Sequence, residues 1–128
     1  MVQQKTGMEL VVLPMHKRDE DAGYTTILDG TPYEFVWLIK NAAFICTDSF
    51  HACAFSLNYS KEFYLLRRMR KDEDSKYDDF LTRYGLEGRC ITDESQFVRM
   101  PEIDYKKAHS QLAQDRQKAY AYISQILI

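Results

Sequence analysis

The chain alternates between two hydrophobic periods. Short β-rich runs at 8–13, 25–28, 43–47, 62–66 and 89–92 read as strands. The middle run, Ala43 to Thr47, is small or apolar throughout, as a strand buried on both faces should be. Between these runs, apolar residues recur at helical spacing. Phe35, Leu38, Ile39 and Ala42 make one stripe, opened by a Thr31–Pro32–Glu34 capping box, with Tyr33, Val36 and Trp37 on a second face. Asp48 and Ser49 interrupt the middle run as N-cap residues, and Phe50, Cys53, Ala54 and Leu57 follow. Ser75 caps a helix with Tyr77, Phe80, Leu81 and Tyr84 inward, and Gly85 stops it. Residues 93–103 read as a loop. Asp104 caps a long terminal helix lined by Tyr105, Ala108, Leu112, Ala119, Tyr122, Ile123 and Ile126. Met1 to Gly7 is either the tail of a helix stopped by Gly7 or a frayed terminus.

Strands that alternate with helices imply an α/β fold: a mostly parallel sheet of about five strands with right-handed crossovers. The expected order is 25–28, 8–13, 43–47, 62–66, 89–92. Its winding reverses between 8–13 and 43–47, and such sheets bind ligands at that switch point.

Composition narrows the classes. A chain of 128 residues is one domain's worth, and 45% hydrophobic residues supply a core. Seventeen basic against nineteen acidic side chains argue against a nucleic-acid binder. No apolar run reaches the length of a membrane span, and no signal-peptide pattern opens the chain. Cys46, Cys53 and Cys90 lack metal-site spacing and read as reduced thiols of a cytoplasmic protein.

Parallel strands bring all their C-terminal ends to one edge. The residues just past those ends are His16, Lys17 and Arg18; Asp29 and Gly30; Asp48, Ser49 and His51; Arg67, Arg68, Arg70 and Lys71. Free N–H groups of the helix opening at Phe50 face the same edge, at the positive end of its dipole. The collection suits a small, multiply charged anion. Each residue also has a plain role: His51 as an exposed histidine, Asp48 and Ser49 as caps, Arg67 to Lys71 as a solvated charge run. For His16 and Lys17 the plain role is favoured, and His109 reads as a surface residue of the last helix.

Lys40-Asn-Ala-Ala-Phe-Ile-Cys-Thr-Asp-Ser-Phe-His51, followed by Ala54-Phe-Ser-Leu57, resembles the signature of the polysaccharide pyruvyl transferases. Gly30-Thr-Pro-Tyr-Glu-Phe35, Tyr84-Gly-Leu-Glu-Gly-Arg89 and Ile103-Asp-Tyr105 extend the likeness over most of 28–127. These bacterial enzymes move a pyruvyl group from phosphoenolpyruvate to a sugar. The resemblance implies a three-layer, Rossmann-like domain forming the C-terminal half of a glycosyltransferase-B-like architecture. The chain would then be a fragment lacking its N-terminal domain, and inactive alone. It also implies His51 as the catalytic acid and donor ligand. Asp48, Ser49 and the N–H groups of Phe50 and His51 would surround an oxygen of the anion. Cations of the 67–76 loop (Arg67, Arg68, Lys71 and Lys76) would offset phosphate charge. No cofactor is implied beyond the donor substrate; the partners are that donor, a sugar acceptor and the absent domain. Tyr33, Val36 and Trp37 are the expected contact with that domain or with a second copy. Two positions depart from the family pattern: Ala52 replaces a glycine after the signature His, where a methyl would narrow the pocket, and Lys76 replaces an arginine.

Two other classes share these features: a nucleotide-sugar glycosyltransferase half, and a non-catalytic domain binding an anion or a partner through Trp37. No Gly-rich dinucleotide fingerprint is present.

Overall fold

The computed structural model describes residues 2–14, 23–27, 30–67, 75–97 and 101–127. The chain falls into two compact units, Met1–Leu38 and Ile39–Ile128. The expected positions His16, Lys17, Arg18, Asp29, Arg68, Arg70 and Lys71 lie outside the described residues.

The first unit opens with helix α1 (Val2–Thr6). Gly7 ends it at φ 68°, a left-handed turn that glycine adopts without penalty, with its N–H on the Gln3 carbonyl at 2.8 Å. Strands β1 (Val11–Val12) and β2 (Thr25–Thr26) pair in parallel. The 8–13 strand is thus much shorter than its hydrophobic run, because a ladder extends only as far as its partner. Helix α2 (Pro32–Asn41) begins with the expected capping box. The Glu34 carboxylate accepts the Thr31 N–H at 2.7 Å, and the Thr31 hydroxyl accepts the Glu34 N–H at 3.3 Å. That reciprocal bonding, the Thr31 backbone first, holds the Glu34 carboxyl below its ordinary pKa. Tyr33 is 88% exposed and Trp37 63%, while Val36 is half-buried.

The second unit is a three-stranded parallel sheet in the order β3 (Ile45–Thr47), β4 (Phe63–Leu66), β5 (Cys90–Ile91). The five expected strands and their parallel sense are present, in two hydrogen-bonded sheets of two and three strands. β4 is central, and its side chains alternate between two buried environments. Phe63 and Leu65 join Cys53, Leu57, Leu81, Leu86 and Ala108 in the main core. These come from helices α3 (Phe50–Asn58), α4 (Ser75–Tyr84) and α5 (Tyr105–Ile126) and from the turn after α4. Tyr64 points the other way, into a ring cluster with Phe44 and Phe97 at centroid separations of 5.4 and 5.2 Å.

Caps set the helix ends. Ser49 N-caps α3 and Asp104 N-caps α5, each accepting the N–H three residues on. Ser75 differs from expectation: it is the first residue within α4. α4 ends in a Schellman turn. Gly85, at φ 69°, donates to Thr82 O, and Leu86 donates to Leu81 O at 2.7 Å, placing the Leu86 side chain back in the core. Arg89 is drawn into a 3-10 turn (Glu87–Arg89), so β5 starts at Cys90 rather than 89. A second 3-10 turn (Glu94–Gln96) occupies part of the expected loop 93–103.

Below the N-terminal ends of the strands lies a polar clasp. Arg89, 5% exposed, meets the Glu62 carboxylate at 2.8 Å and donates to the Pro101 carbonyl, with its guanidinium 5.6 Å from the Tyr64 ring centroid. The other Glu62 oxygen accepts the Ile103 N–H at 2.8 Å. The Tyr105 hydroxyl donates to the Lys61 carbonyl, and burial raises that phenol's pKa. His109, expected at the surface, is half-buried with Nε2 2.8 Å from the Leu57 carbonyl at the end of α3.

The expected stripe of α5 is only half used. Tyr105, Ala108 and Leu112 pack on the core, but every described residue from 116 onward is exposed, including Ala119, Tyr122, Ile123 and Ile126. The reason is length. At 1.5 Å per residue, 22 residues span about 33 Å, against about 15 Å for α3 and α4, so α5 outruns the surfaces it packs on. Its last anchors are Arg116, which donates to the Asn58 side-chain oxygen, and Asp115. Arg83 donates to both carboxylate oxygens, Tyr84 OH to one at 2.9 Å and Gln111 to the other at 3.1 Å.

Glu62→Gln, which leaves the buried Arg89 guanidinium without a counter-charge, should lower unfolding free energy by about 2–4 kcal/mol in urea titrations. Asp115 supplies a pH test. The hydrogen bonds from Arg83, first of all, hold its carboxyl far below the ordinary value of 3.8. The folded state therefore binds this proton less readily than the unfolded chain does. The pair's contribution is complete above the ordinary carboxylate pKa and drains as pH falls below it. Asp115→Asn should flatten the loss of stability below about pH 4, measured by thermal unfolding across pH.

Candidate functional site

The parallel register of β3, β4 and β5 carries residues 48–51, 67 and 92–93 to one edge of the sheet, opposite the Arg89 clasp. At that edge β3 turns directly into α3. The Thr47 hydroxyl accepts the Ser49 N–H at 3.0 Å, and the Ser49 hydroxyl accepts the Ala52 N–H at 3.4 Å. The helix ladder starts with Cys53 N–H on the Ser49 carbonyl. Phe50 and His51 come earlier, so helix geometry leaves their N–H groups without an intrahelical acceptor. Ser49 spends an acceptor lone pair on the cap and keeps its O–H as a donor.

His51 is exposed in the first turn of α3, and its ring lies 6.4 Å from that of Phe50 at an interplanar angle of 87°. Asp48 is exposed beside it. Ala52 differs from expectation: it is 4% exposed, so its methyl is packed in the protein and does not narrow the edge.

Arg67 follows β4 directly, donating its N–H to Ile91 O at 2.9 Å. Its side chain is only 13% exposed, with Nη1 2.6 Å from the Asp78 carboxylate. The guanidinium lies over the Tyr77 ring at 5.6 Å. Arg67 is therefore a placed cation with its charge partly met, rather than a member of a solvated run. Lys76 is exposed, with its ammonium over the same ring at 5.2 Å. Among the predicted donor residues, Asp48, Ser49, Phe50, His51, Arg67 and Lys76 thus share this edge; Arg68 and Lys71 lie outside the described residues.

Two contributors escape a reading by periodicity. Tyr77 fits the apolar stripe of α4, yet its hydroxyl donates to the Asp48 carbonyl at 3.2 Å and its ring meets Phe50 at 5.7 Å. Its one distinguishing sign in sequence is its place in the first turn after a cationic run. Asp93, past β5, is bound into a turn by Ser95, whose hydrogen bonds lower its carboxyl pKa.

Cys46 and Cys53 are poor nucleophiles. Burial pushes the Cys53 thiol up to about 12 and the Cys46 thiol up to about 11, so both stay protonated. Among the described residues, no three His, Cys, Asp or Glu side chains gather as a metal site, and no helix is long and apolar enough to cross a membrane.

A turn that opens a helix, an exposed imidazole and two cations stand together at the C-terminal edge of a parallel sheet in an α/β protein. The chain belongs to the polysaccharide pyruvyl transferase family, whose model matches residues 1–68, from α1 through β4 and the cation after it. No curated protein and no solved structure matches it. The matched residues include the whole Asp48–His51 turn. Tyr84–Arg89 and Ile103–Tyr105 lie beyond them, and their structural roles are the α4 stop, the Arg89 clasp and the α5 cap.

Ser49→Ala removes the α3 cap and should cost about 1 kcal/mol of stability by chemical denaturation, with the α/β circular dichroism spectrum unchanged.

Proposed function

We propose that this chain supplies the donor-binding half of an enzyme that transfers a pyruvyl group from phosphoenolpyruvate to a sugar of a bacterial surface polysaccharide. The observation that carries the reading is the Asp48–His51 turn, which opens α3 at the strand edge with the imidazole in solvent, in a chain of this family. In the wider architecture both sheets belong to one three-layer, five-stranded, Rossmann-like domain, residues 1–128, serving as the C-terminal half of a glycosyltransferase-B-like pair. The exposed Tyr33 and Trp37, with Val36, face the other half or a second copy. The cytoplasm, where phosphoenolpyruvate is found, is the working compartment.

The chemistry asks for an acid and for positive charge. A sugar hydroxyl adds to C2 of the donor while C3 takes a proton, giving the methyl group. The C2–O bond to phosphate then breaks, phosphate departs, and a second hydroxyl closes the ketal. His51 is placed to give the proton and bind the donor. The N–H groups of Phe50 and His51 and the Ser49 hydroxyl hold an anionic oxygen, beside Asp48. Arg67 and Lys76, with Arg68 and Lys71 assigned from sequence, offset the charge of the leaving phosphate.

Phosphoenolpyruvate titrated into the chain and followed by NMR should shift the amides of Ser49 to His51 saturably. His51→Ala should weaken binding about tenfold or more, with its thermal midpoint unchanged because the side chain is exposed. A nucleotide sugar should leave those amides in place. If phosphoenolpyruvate moves nothing there, or the alanine variant binds as well as the parent, the assignment is wrong.

A further inference from the structure

Three separate pieces of the strand edge converge on one side chain, Tyr77. Its hydroxyl donates to the Asp48 carbonyl at 3.2 Å, just before the α3 cap. Its ring packs edge-on to Phe50 at 5.7 Å, and Phe50 in turn sits against His51. Two cations from different places in the chain, Arg67 after β4 and Lys76 on α4, lie over that ring at 5.6 and 5.2 Å. Cations brought to one ring repel each other, and long basic side chains lose rotamer freedom when held. A tyrosine that only filled the core would need neither cation.

We propose that Tyr77 is a positioning residue of the donor site, gathering Arg67 and Lys76 into one cationic wall and pinning that wall to the Asp48–His51 turn. The inference rests on the donor reading above. The ring quadrupole draws both cations to one place without neutralising either. Asp78, at 2.6 Å from Arg67, steadies that guanidinium and is the counter-charge an incoming dianion competes with. The hydroxyl fixes the Asp48–Ser49 peptide, so the α3 donors and the cations keep one spacing. That spacing suits a ligand carrying two anionic groups, such as a phosphate and a carboxylate. Tyr77 acts through these neighbours and need not touch the reacting atoms.

The test uses the full chain, with phosphoenolpyruvate titrations by NMR and the Arg67 Nε–H signal as a second readout. Tyr77→Phe keeps the ring and loses the pin, and should weaken binding roughly 2–5-fold. Tyr77→Leu loses both, and should weaken it roughly tenfold or more. Lys76→Gln should cost less in the Tyr77→Leu background than in the parent, because a residue acting through Lys76 is non-additive with it whereas a merely structural one is additive. In the parent the Arg67 Nε–H signal should carry a displacement by the ring, and Tyr77→Leu should remove that part of it while the Asp78 ion pair remains. Strict additivity, or Tyr77→Leu binding within about 2-fold of the parent, overturns the proposal. Should Tyr77→Leu fail to fold, the phenylalanine variant decides: parental affinity there refutes the pin. An undisplaced Arg67 signal in the parent refutes the cation wall whether or not the donor binds. A displaced signal with no donor binding instead refutes the donor reading and leaves Tyr77 as the organiser of the cation pair.

Discussion

A guanidinium taken out of water has to be met on several sides at once, and the larger unit is built around meeting one. Arg89 takes its charge partner from the residue before β4, a backbone carbonyl from the segment before α5, and a ring face from β4 itself. Those contacts tie the starts of two strands to the start of the last helix. The second oxygen of Glu62 then bonds the Ile103 N–H, so one carboxylate serves strand, turn and helix approach together. Because the pair lies at the N-terminal ends of the strands, that edge is committed to holding the fold together. The C-terminal edge carries the first backbone donors of α3, an exposed imidazole and an exposed lysine lying over Tyr77.

This separation explains how residues sorted by family likeness divide in space. Tyr84 to Arg89 and Ile103 to Tyr105 cluster at the clasp, where they end α4, neutralise Glu62 and cap α5. Asp48 to His51 lie at the other edge. Ala52 shows how local context decides a residue's meaning. Set against the family pattern, which has glycine there, its methyl would narrow a pocket; in the folded chain Ala52 is buried in α3 and its N–H is held by Ser49. Arg67 makes the opposite point. As part of a basic run it looks solvated, but burial, an acidic partner and a ring below it make it a fixed charge.

Helix α5 marks where a hydrophobic pattern stops predicting burial. Its stripe is continuous from Tyr105 to Ile126, yet packing ends near Asp115 because α3 and α4 are less than half its length. Periodicity reports which face of a helix is apolar; it says nothing of how far the neighbouring surface extends.

The sequence by itself determined the alternation of strand and helix, the parallel sense of the strands, the capping box at Thr31 and Glu34, the caps at Ser49 and Asp104, the stop at Gly85, and the Asp48–His51 turn with its exposed imidazole; at Gly7 it left a helix stop and a frayed terminus open. All of these rest on spacings of a few residues, where backbone hydrogen bonding and side-chain reach are local. Only the tertiary structure decided the short ladders, the partners of Arg89 and Asp115, the burial of Ala52, the half-buried place of His109 and the convergence on Tyr77. Each of those depends on groups distant in the chain, such as Tyr77 and Asp48, whose meeting is set by how the sheet and helices pack and by no local rule.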